Sequence, residues 1–261
     1  MNSFDCGEKR ACEPLKNLAQ LASWRADQSD WASQVIPLIS RSDYCYEGDS
    51  FECYRKIRKP LKILTSGSPK TLVCHDMKGG YLDDKFVEGA SYQNQYIFYH
   101  WPLIDVFIYF SHNFVTIPPL MWINAAHKNG VRILGTVITE NDEGQEIWNK
   151  ILSDDVTLHM FTNKLGEICT HYRFDGYLLN IENEIDEQHI PRLKLFLENL
   201  KNILGKSRTL LWYDSVSMID GKLKWQNQLN EHNEAAFRIC DGIYLNYGWD
   251  EACLKNSLDN A

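Results

Sequence analysis

Short apolar runs alternate with helical segments from about residue 71 onward. The runs that we interpret as strands are Leu72–His75, Asp105–Ser111, Val131–Thr139, Gly176–Glu182, Thr209–Ser215 and Gly242–Tyr247. Apolar runs separated by helices are typical of parallel strands joined by right-handed βαβ crossovers. The pattern therefore predicts an α/β fold with a parallel sheet.

Proline and glycine mark the ends of the predicted helices. Pro118 and Pro119 precede one helix, and Gly130 follows it. Pro191 begins another helix, which ends before Gly205. Proline favours the first turn of a helix and glycine favours the position after its end. The residues expected on the buried face of the second helix are Leu195, Phe196, Leu200 and Ile203.

Strict β/α alternation predicts a TIM-type (β/α)8 barrel, but only about six β/α units are present where such a barrel needs eight. We expect an incomplete barrel over residues 71–261, truncated at its carboxyl end; a six-stranded open sheet is the alternative. Residues 1–70 are polar and mixed in character. They predict a partly helical leader segment that packs loosely on the barrel.

Composition narrows the class of protein. The chain is 44% hydrophobic, enough for a sizeable core, and its net charge of −8 argues against nucleic acid as the main partner. No apolar run approaches the roughly 18 residues of a membrane span, and the amino terminus lacks the apolar stretch of a signal peptide. The eight cysteines form no CxxC pair, and no histidines have zinc-ligand spacing. We expect a cytosolic monomer without metal or membrane partner.

The strand Gly176–Glu182 carries the most informative chemistry. Alternate residues of a strand share a face, so Asn180 and Glu182 project side by side at the carboxyl end, where barrel active sites collect. A carboxyl group beside an amide suits a glycosidase whose substrate supplies the nucleophile from its own 2-acetamido group. Glu182 would act as general acid and base, and Asn180 would orient the acetamide. Alternatively, the two side chains merely cap the strand and bind solvent.

The surrounding motif is similar to two glycosidase families. The spacing Asp175-Gly176-x-x-x-Asn180-x-Glu182 looks like the catalytic strand of family 18 chitinases, with Leu178 and Asn180 in place of two aspartates. Further segments, in the same order along the chain, resemble cytosolic endo-β-N-acetylglucosaminidases of glycoside hydrolase family 85. They are residues 72–81, 107–112, 115–119, 125–131, 134–136, 212–215, 225–227 and 245–247.

The family 85 resemblance implies hydrolysis of the β-1,4 bond in the N,N′-diacetylchitobiose core of N-glycans, through an oxazoline and with retention. It implies no cofactor, and its substrates would be N-glycans, free oligosaccharides or glycopeptides. By position, the catalytic residues would be Glu182, Asn180 and Tyr213. The candidate substrate-binding residues are Trp225, Trp249, Asn246, Glu140 and His75.

One of these candidates, His75, has a second interpretation, since it could bind substrate or form a structural pair with Asp76. Glu140 follows its strand, where it could line the cleft. Family 85 members are usually longer, with a complete barrel. A catalytically impaired truncated isoform and a family 18-like chitinase are therefore the alternatives to an active endo-β-N-acetylglucosaminidase.

Overall fold

The computed structural model describes residues 9–39, 70–90 and 95–261. The strands are β1 Leu72–Asp76, β2 Val106–Phe110, β3 Val115–Thr116, β4 Arg132–Glu140, β5 Gly176–Glu182, β6 Thr209–Tyr213 and β7 Gly242–Tyr244. The α-helices are α1 Leu18–Ser23, α2 Leu120–Lys128, α3 Asn141–Leu152, α4 Asp155–Tyr172, α5 Ile190–Leu204, α6 Glu234–Ile239 and α7 Glu251–Asn260.

Six strands form one parallel sheet in chain order, β1-β2-β4-β5-β6-β7. This confirms the predicted parallel sheet. An α-helix lies between each pair of neighbouring strands from β2–β4 onward, whereas the described residues between β1 and β2 form only two short 3-10 helices. The sequence did not predict β3, a two-residue strand that pairs antiparallel with β4.

The sheet curls into part of a barrel. Alternate residues pack into a small inner cluster, which includes Leu72 on β1, Leu178 on β5 and Tyr244 on β7. Burial and the nearby Cys74 thiol on β1 raise the pKa of Tyr244, so the two ends of the sheet approach each other across the inner face. An inner cluster shared by six parallel strands is the arrangement of a barrel interior.

The helices form an outer layer over the opposite face of the sheet. The largest side chains of this layer interlock where α3, α4 and α5 meet: Trp148, Phe161 and Phe196 are fully buried with ring centroids 5.3–5.8 Å apart. The predicted face of α5 is partly wrong. Phe196 and Leu200 are buried, whereas Leu195 and Ile203 lie at its margins and are 38% and 42% exposed.

The amino-terminal segment packs more tightly than its polar sequence predicts. Of the expected leader, residues 9–39 and 70 are described, and the rest lies outside the described residues. Trp24 and Trp31 are buried against α4, and the Trp31 ring stacks on Tyr172 with centroids 4.4 Å apart. Residues 9–39 therefore belong to the hydrophobic core, and loose packing was the wrong expectation for them.

The Asp175-Gly176 pair of the motif has a structural role at the amino end of β5. Gly176 has φ +132°, and a β-carbon there would lie 1.8 Å from the Thr209 carbonyl oxygen, so only glycine fits. Asp175 accepts hydrogen bonds from the backbone N–H of Ile133 and from the buried imidazole of His127. These contacts fix where β5 starts, and hence which residues reach its carboxyl end.

Candidate active site

Polar side chains line the carboxyl-end rim of the inner face. Asp76, Glu140, Glu182 and Tyr213 are the last residues of four parallel strands. Each has the same inward parity as the apolar residues of the inner cluster. This edge of a curled parallel sheet is where barrel enzymes place their catalytic groups.

Asn180 and Glu182 lie side by side on β5, as their spacing predicts. Leu178, Asn180 and Glu182 face inward, while Leu179 and Ile181 join the outer core. The Asn180 Nδ2 donates a hydrogen bond to Glu182 Oε2 at 3.1 Å. Asn180 is only 4% exposed, so its amide is directed at the carboxylate and not at bulk solvent.

The environment of Glu182 favours its protonated form. Burial is the largest effect that raises the pKa of Glu182, and the negative charge of Glu140 adds to it. The Asn180 hydrogen bond and the nearby His112 act in the opposite direction and only partly offset the rise. A carboxyl group whose pKa is raised by burial is suited to general acid catalysis.

Asp76, His112 and Glu140 form a second group of polar side chains, on the side of Glu182 where β1, β2 and β4 lie. Glu140 is the cross-strand neighbour of Glu182 in register. The His112 ring follows β2 and lies between two carboxylates, with Nε2 3.4 Å from Asp76 Oδ2 and Nδ1 4.0 Å from Glu140 Oε2. The structure therefore places Glu140 beside Glu182 and His112 at this edge of the sheet.

Tyr213 connects the other side of the site. Its hydroxyl donates to Asn246 Oδ1 at 3.2 Å, and the Trp225 indole N–H hydrogen-bonds to the same hydroxyl. Burial, together with the negative charge of Glu182, raises the pKa of Tyr213 to about 12. The phenol is therefore a neutral hydrogen-bond donor at physiological pH.

Two exposed aromatic rings lie in the loop that follows β7. Tyr247 is 86% exposed and Trp249 is 51% exposed. Tyr247 is close enough for its ionised form to affect the pKa of Tyr213. Trp225 is 39% exposed on the loop after β6. Half-exposed aromatic rings beside a cleft provide flat apolar surfaces on which a sugar ring can stack.

His75 is not brought together with the other candidates. It lies on the outer face of β1, within ring contact of Tyr96, Phe98, Phe107 and Trp122. Burial lowers the pKa of His75, which favours the neutral ring. Its neighbour Asp76 faces inward instead, so the two do not form the structural pair that was the second interpretation.

Sequence reasoning missed three residues of this region. His112 lies just beyond the carboxyl end of β2, close to Asp76 and Glu140, so the rule that site residues follow strand ends could have identified it. Asp214 and Asn227 gave no such signal, because their contacts depend on how two loops fold together.

Across residues 9–39, 70–90 and 95–261, no group of three or more His, Cys, Asp or Glu side chains could hold a metal ion. Nor is any helix in these ranges long and apolar enough to cross a membrane.

Comparison with known proteins identifies relatives along most of the chain. Residues 81–261 match the model of glycosyl hydrolase family 85. Cytosolic endo-β-N-acetylglucosaminidase 2 from Arabidopsis thaliana is 49% identical over 187 residues, which are 70% of this chain and 26% of that protein. The mouse cytosolic endo-β-N-acetylglucosaminidase is 46% identical over 252 residues, 95% of this chain and 32% of that protein.

A solved structure gives the same fold. The glycoside hydrolase domain of Spr0440, Endo-D from Streptococcus pneumoniae R6, aligns with a TM-score of 0.75 and 20% identity, over 97% of this chain and 40% of that one. This likeness confirms the prediction of an incomplete TIM-type barrel. The chain spans between about a quarter and a third of the length of the curated relatives it matches. On the family match and these identities, the chain belongs to glycosyl hydrolase family 85.

Proposed function

We propose that the chain is an endo-β-N-acetylglucosaminidase that hydrolyses the β-1,4 bond of the N,N′-diacetylchitobiose core of N-glycans. The contact between Asn180 and Glu182 is the observation that carries the proposal, since it places an amide beside a carboxyl group of raised pKa. Family membership and the names of the relatives support the same activity. The family match favours this assignment over the family 18-like chitinase.

In the first step, Glu182 protonates the leaving glycosidic oxygen while the substrate's own acetamide oxygen attacks the anomeric carbon. The product is an oxazolinium ring on the sugar. Asn180 donates its Nδ2 hydrogen to Glu182, which leaves its Oδ1 to accept a hydrogen bond from the acetamide N–H. This bond strengthens as positive charge develops on the acetamide nitrogen.

In the second step, the Glu182 carboxylate removes a proton from water, and the oxygen of that water opens the oxazolinium ring at the anomeric carbon. Two displacements give net retention of configuration. The raised pKa of Tyr213 keeps the proton on the phenol. The hydroxyl would turn this one hydrogen from Asn246 Oδ1 to the acetamide oxygen when the substrate binds. These steps use only side chains and the substrate, so the mechanism needs no cofactor.

The other site residues take binding roles in this proposal. Trp225 and Asn246 contact the Tyr213 hydroxyl and therefore lie where the acetamide would bind. Glu140 would bind sugar hydroxyls beside Glu182, and Trp249 would form an outer aromatic wall. The position of His75 behind β1 gives no support for a substrate contact.

We further propose N-glycans, free oligosaccharides or glycopeptides as substrates of a monomer. A cytosolic location is proposed from the names of the relatives, which describe them as cytosolic. Residues 71–261 would form the catalytic barrel domain and residues 1–70 its amino-terminal segment.

A non-catalytic form of the enzyme is the alternative. It is favoured by the sheet, which within residues 9–39, 70–90 and 95–261 runs through six parallel strands, where a closed barrel has eight. Thermal unfolding and size-exclusion chromatography distinguish the two. One cooperative transition of a monomer supports the active barrel, whereas a broad transition of an aggregating chain supports the alternative.

The direct test is incubation with a peptide that carries one high-mannose N-glycan, followed by mass spectrometry. We expect a peptide that retains a single N-acetylglucosamine, and we expect Glu182→Gln to slow its release by roughly 100-fold or more. Glu198→Gln, on the exposed side of α5, is the matched control and should keep full activity. If neither the unaltered chain nor the Glu182→Gln variant forms this product, the proposed activity is contradicted for this chain.

A further inference from the structure

We propose that Asp214 and Asn227 form a positioning clamp that joins the loops after β6 and β7, and thereby fixes the cleft walls on either side of Tyr213. This inference deepens the proposed function and rests on it. Neither residue is proposed to touch the reacting atoms; both act through Trp225 and the segment Asn246–Trp249.

Asp214 is the buried end of the clamp. It directly follows Tyr213, is 1% exposed, and donates its backbone N–H to the Tyr244 carbonyl on β7 at 2.9 Å. Its Oδ2 accepts the backbone N–H of Asn227 at 2.6 Å, and its Oδ1 accepts Nδ2 of Asn233 at 3.0 Å. The carboxylate is thus occupied by the loop after β6 and is not available to a substrate.

Asn227 is the link between the two loops. Its Oδ1 accepts the backbone N–H of Gly248 at 2.9 Å, and its Nδ2 donates to the Trp225 carbonyl at 3.4 Å. A β-carbon on Gly248 would lie 2.7 Å from Asn227 Oδ1, so any other residue there would displace the Asn227 side chain from this contact. Asn227 has φ +58°, a left-handed conformation that Asn and Gly tolerate best.

The clamp joins the two loops on either side of the Tyr213 hydroxyl, which both loops contact. The Tyr213 hydroxyl bonds Asn246 from the loop after β7 and Trp225 from the loop after β6. Asn227 fixes the distance between these loops, and Asp214 fixes Asn227 to the end of the strand that carries Tyr213. A ligand seated between Trp225 and Asn246 therefore meets a preformed gap, and does not have to order two loops on binding.

The helix after the second loop supports the same arrangement. The Leu229 N–H donates to Ser257 Oγ on α7 at 2.9 Å, and Asn256 Nδ2 donates to Gln228 Oε1 at 3.1 Å. The loop after β6 is thus held by β6 on one side and by α7 on the other. These contacts confine the effect of breaking the clamp to the walls and leave the core of the sheet unaltered.

The test uses the full chain and the variant Asn227→Gly. Glycine keeps the left-handed backbone and the N–H that bonds Asp214, so the substitution deletes only the links to Gly248 and Trp225. Asp214→Asn is the second variant. It keeps the shape of the side chain but replaces one acceptor oxygen with an NH2 group. That group then faces either the Asn227 N–H or the Asn233 amide, from which it cannot accept a hydrogen bond. Arg173→Gly, at a left-handed position (φ +56°) beyond α4, is the matched control.

Two readouts are needed, amide hydrogen exchange and the affinity for N,N′-diacetylchitobiose. In Asn227→Gly we expect faster exchange at Gly248 and over residues 224–230, an affinity weaker by at least about tenfold, and an unchanged unfolding midpoint. Arg173→Gly should leave both exchange at Gly248 and affinity unchanged. Unaltered protection of Gly248, or unaltered affinity with Gly248 opened, would overturn the clamp.

The same experiment separates the clamp from the proposed function. If the unaltered chain binds no chitobiose, the proposed substrate is wrong, and exchange alone then decides the clamp. Faster exchange that spreads from Gly248 to Trp225 in both variants upholds it, whereas exchange confined to the substituted residue overturns it.

Discussion

Glu140 and Glu182 are cross-strand neighbours in register on β4 and β5, and both side chains point to the inner face of the sheet. Glu182 also accepts the Asn180 amide, whereas Glu140 lies near His112 and is more exposed to solvent. Glu182 therefore has an amide beside it, as the acid of the proposed mechanism requires, and the charge of Glu140 contributes to its raised pKa.

Glu140→Gln should move the pH dependence of activity. The negative charge of Glu140 contributes to the raised pKa of Glu182, so its removal lowers that pKa. A general acid must be protonated, and activity is therefore lost as pH rises through its pKa. We expect the basic limb of the kcat/KM profile to move to lower pH in Glu140→Gln.

The distant carboxyl variant Glu198→Gln serves as the control for this measurement, and its profile should coincide with that of the unaltered chain. A basic limb that stays in place in Glu140→Gln would mean that Glu182 is not the group that titrates there.

His127 should make stability depend on pH. Its Nδ1 lies 2.7 Å from the Ile36 carbonyl oxygen and its Nε2 lies 2.9 Å from Asp175 Oδ2, so both nitrogens must carry hydrogen to satisfy both acceptors. Burial opposes the cation, but the hydrogen bond and charge of Asp175 and the Ile36 carbonyl outweigh it and raise the pKa of His127.

The folded state therefore binds this proton more tightly than the unfolded state does. The stabilisation is fully present below the unfolded pKa of about 6.5 and is lost as pH rises through the raised folded value. We expect His127→Ala to lower the free energy of unfolding by about 3 kcal/mol at pH 6, and by less at pH 8.

Urea unfolding at several pH values measures this difference. Subtraction from the unaltered chain removes the contributions of other histidines, and His159→Ala, on an exposed position of α4, should change little. A His127→Ala difference that does not depend on pH would rule out a charged His127.

Trp31→Ala should destabilise the whole domain. The Trp31 ring is 5% exposed and stacks on Tyr172 of α4, so its removal leaves a large cavity under residues 9–39. Truncation of a buried tryptophan costs about 3–5 kcal/mol. The free energies of unfolding of Trp31→Ala and of the half-exposed Trp249→Ala, measured with denaturant, should differ by about that amount. Similar midpoints would instead mean that residues 9–39 pack loosely on the barrel.

The strand pattern predicted the parallel sheet and the inward pair Asn180–Glu182, because a two-residue period and buried strand ends are local properties of the sequence. It did not predict which way His75 points. The residues of β1 are all partly exposed except Asp76, which is exposed, so no alternation in burial distinguishes its faces. Successive residues of a strand point to opposite faces, and for His75 and Asp76 only the packed sheet shows which is inside.

Tertiary contacts account for the other differences. Trp24 and Trp31 lie in a polar stretch without a clear period, and they are buried because α4 presents Tyr172 to them. The hydrogen bond between Asn227 and Gly248 joins residues that lie 21 positions apart on two loops, and no pattern within either loop indicates it. The same limit applies to β3, which is too short to have a period.

The two carboxyl groups leave two routes to a retained product, and one measurement distinguishes them. Two synthetic substrates would differ only in the sugar at the cleaved bond, which carries an N-acetyl or an N-trifluoroacetyl group. The fluorines weaken the carbonyl oxygen as a nucleophile, so substrate-assisted catalysis predicts cleavage slower on the order of 100-fold, with Glu140→Gln still active on the acetyl substrate. Equal rates on the two substrates, with Glu140→Gln inactive, would instead make Glu140 the nucleophile and contradict the role given to Asn180 and the acetamide.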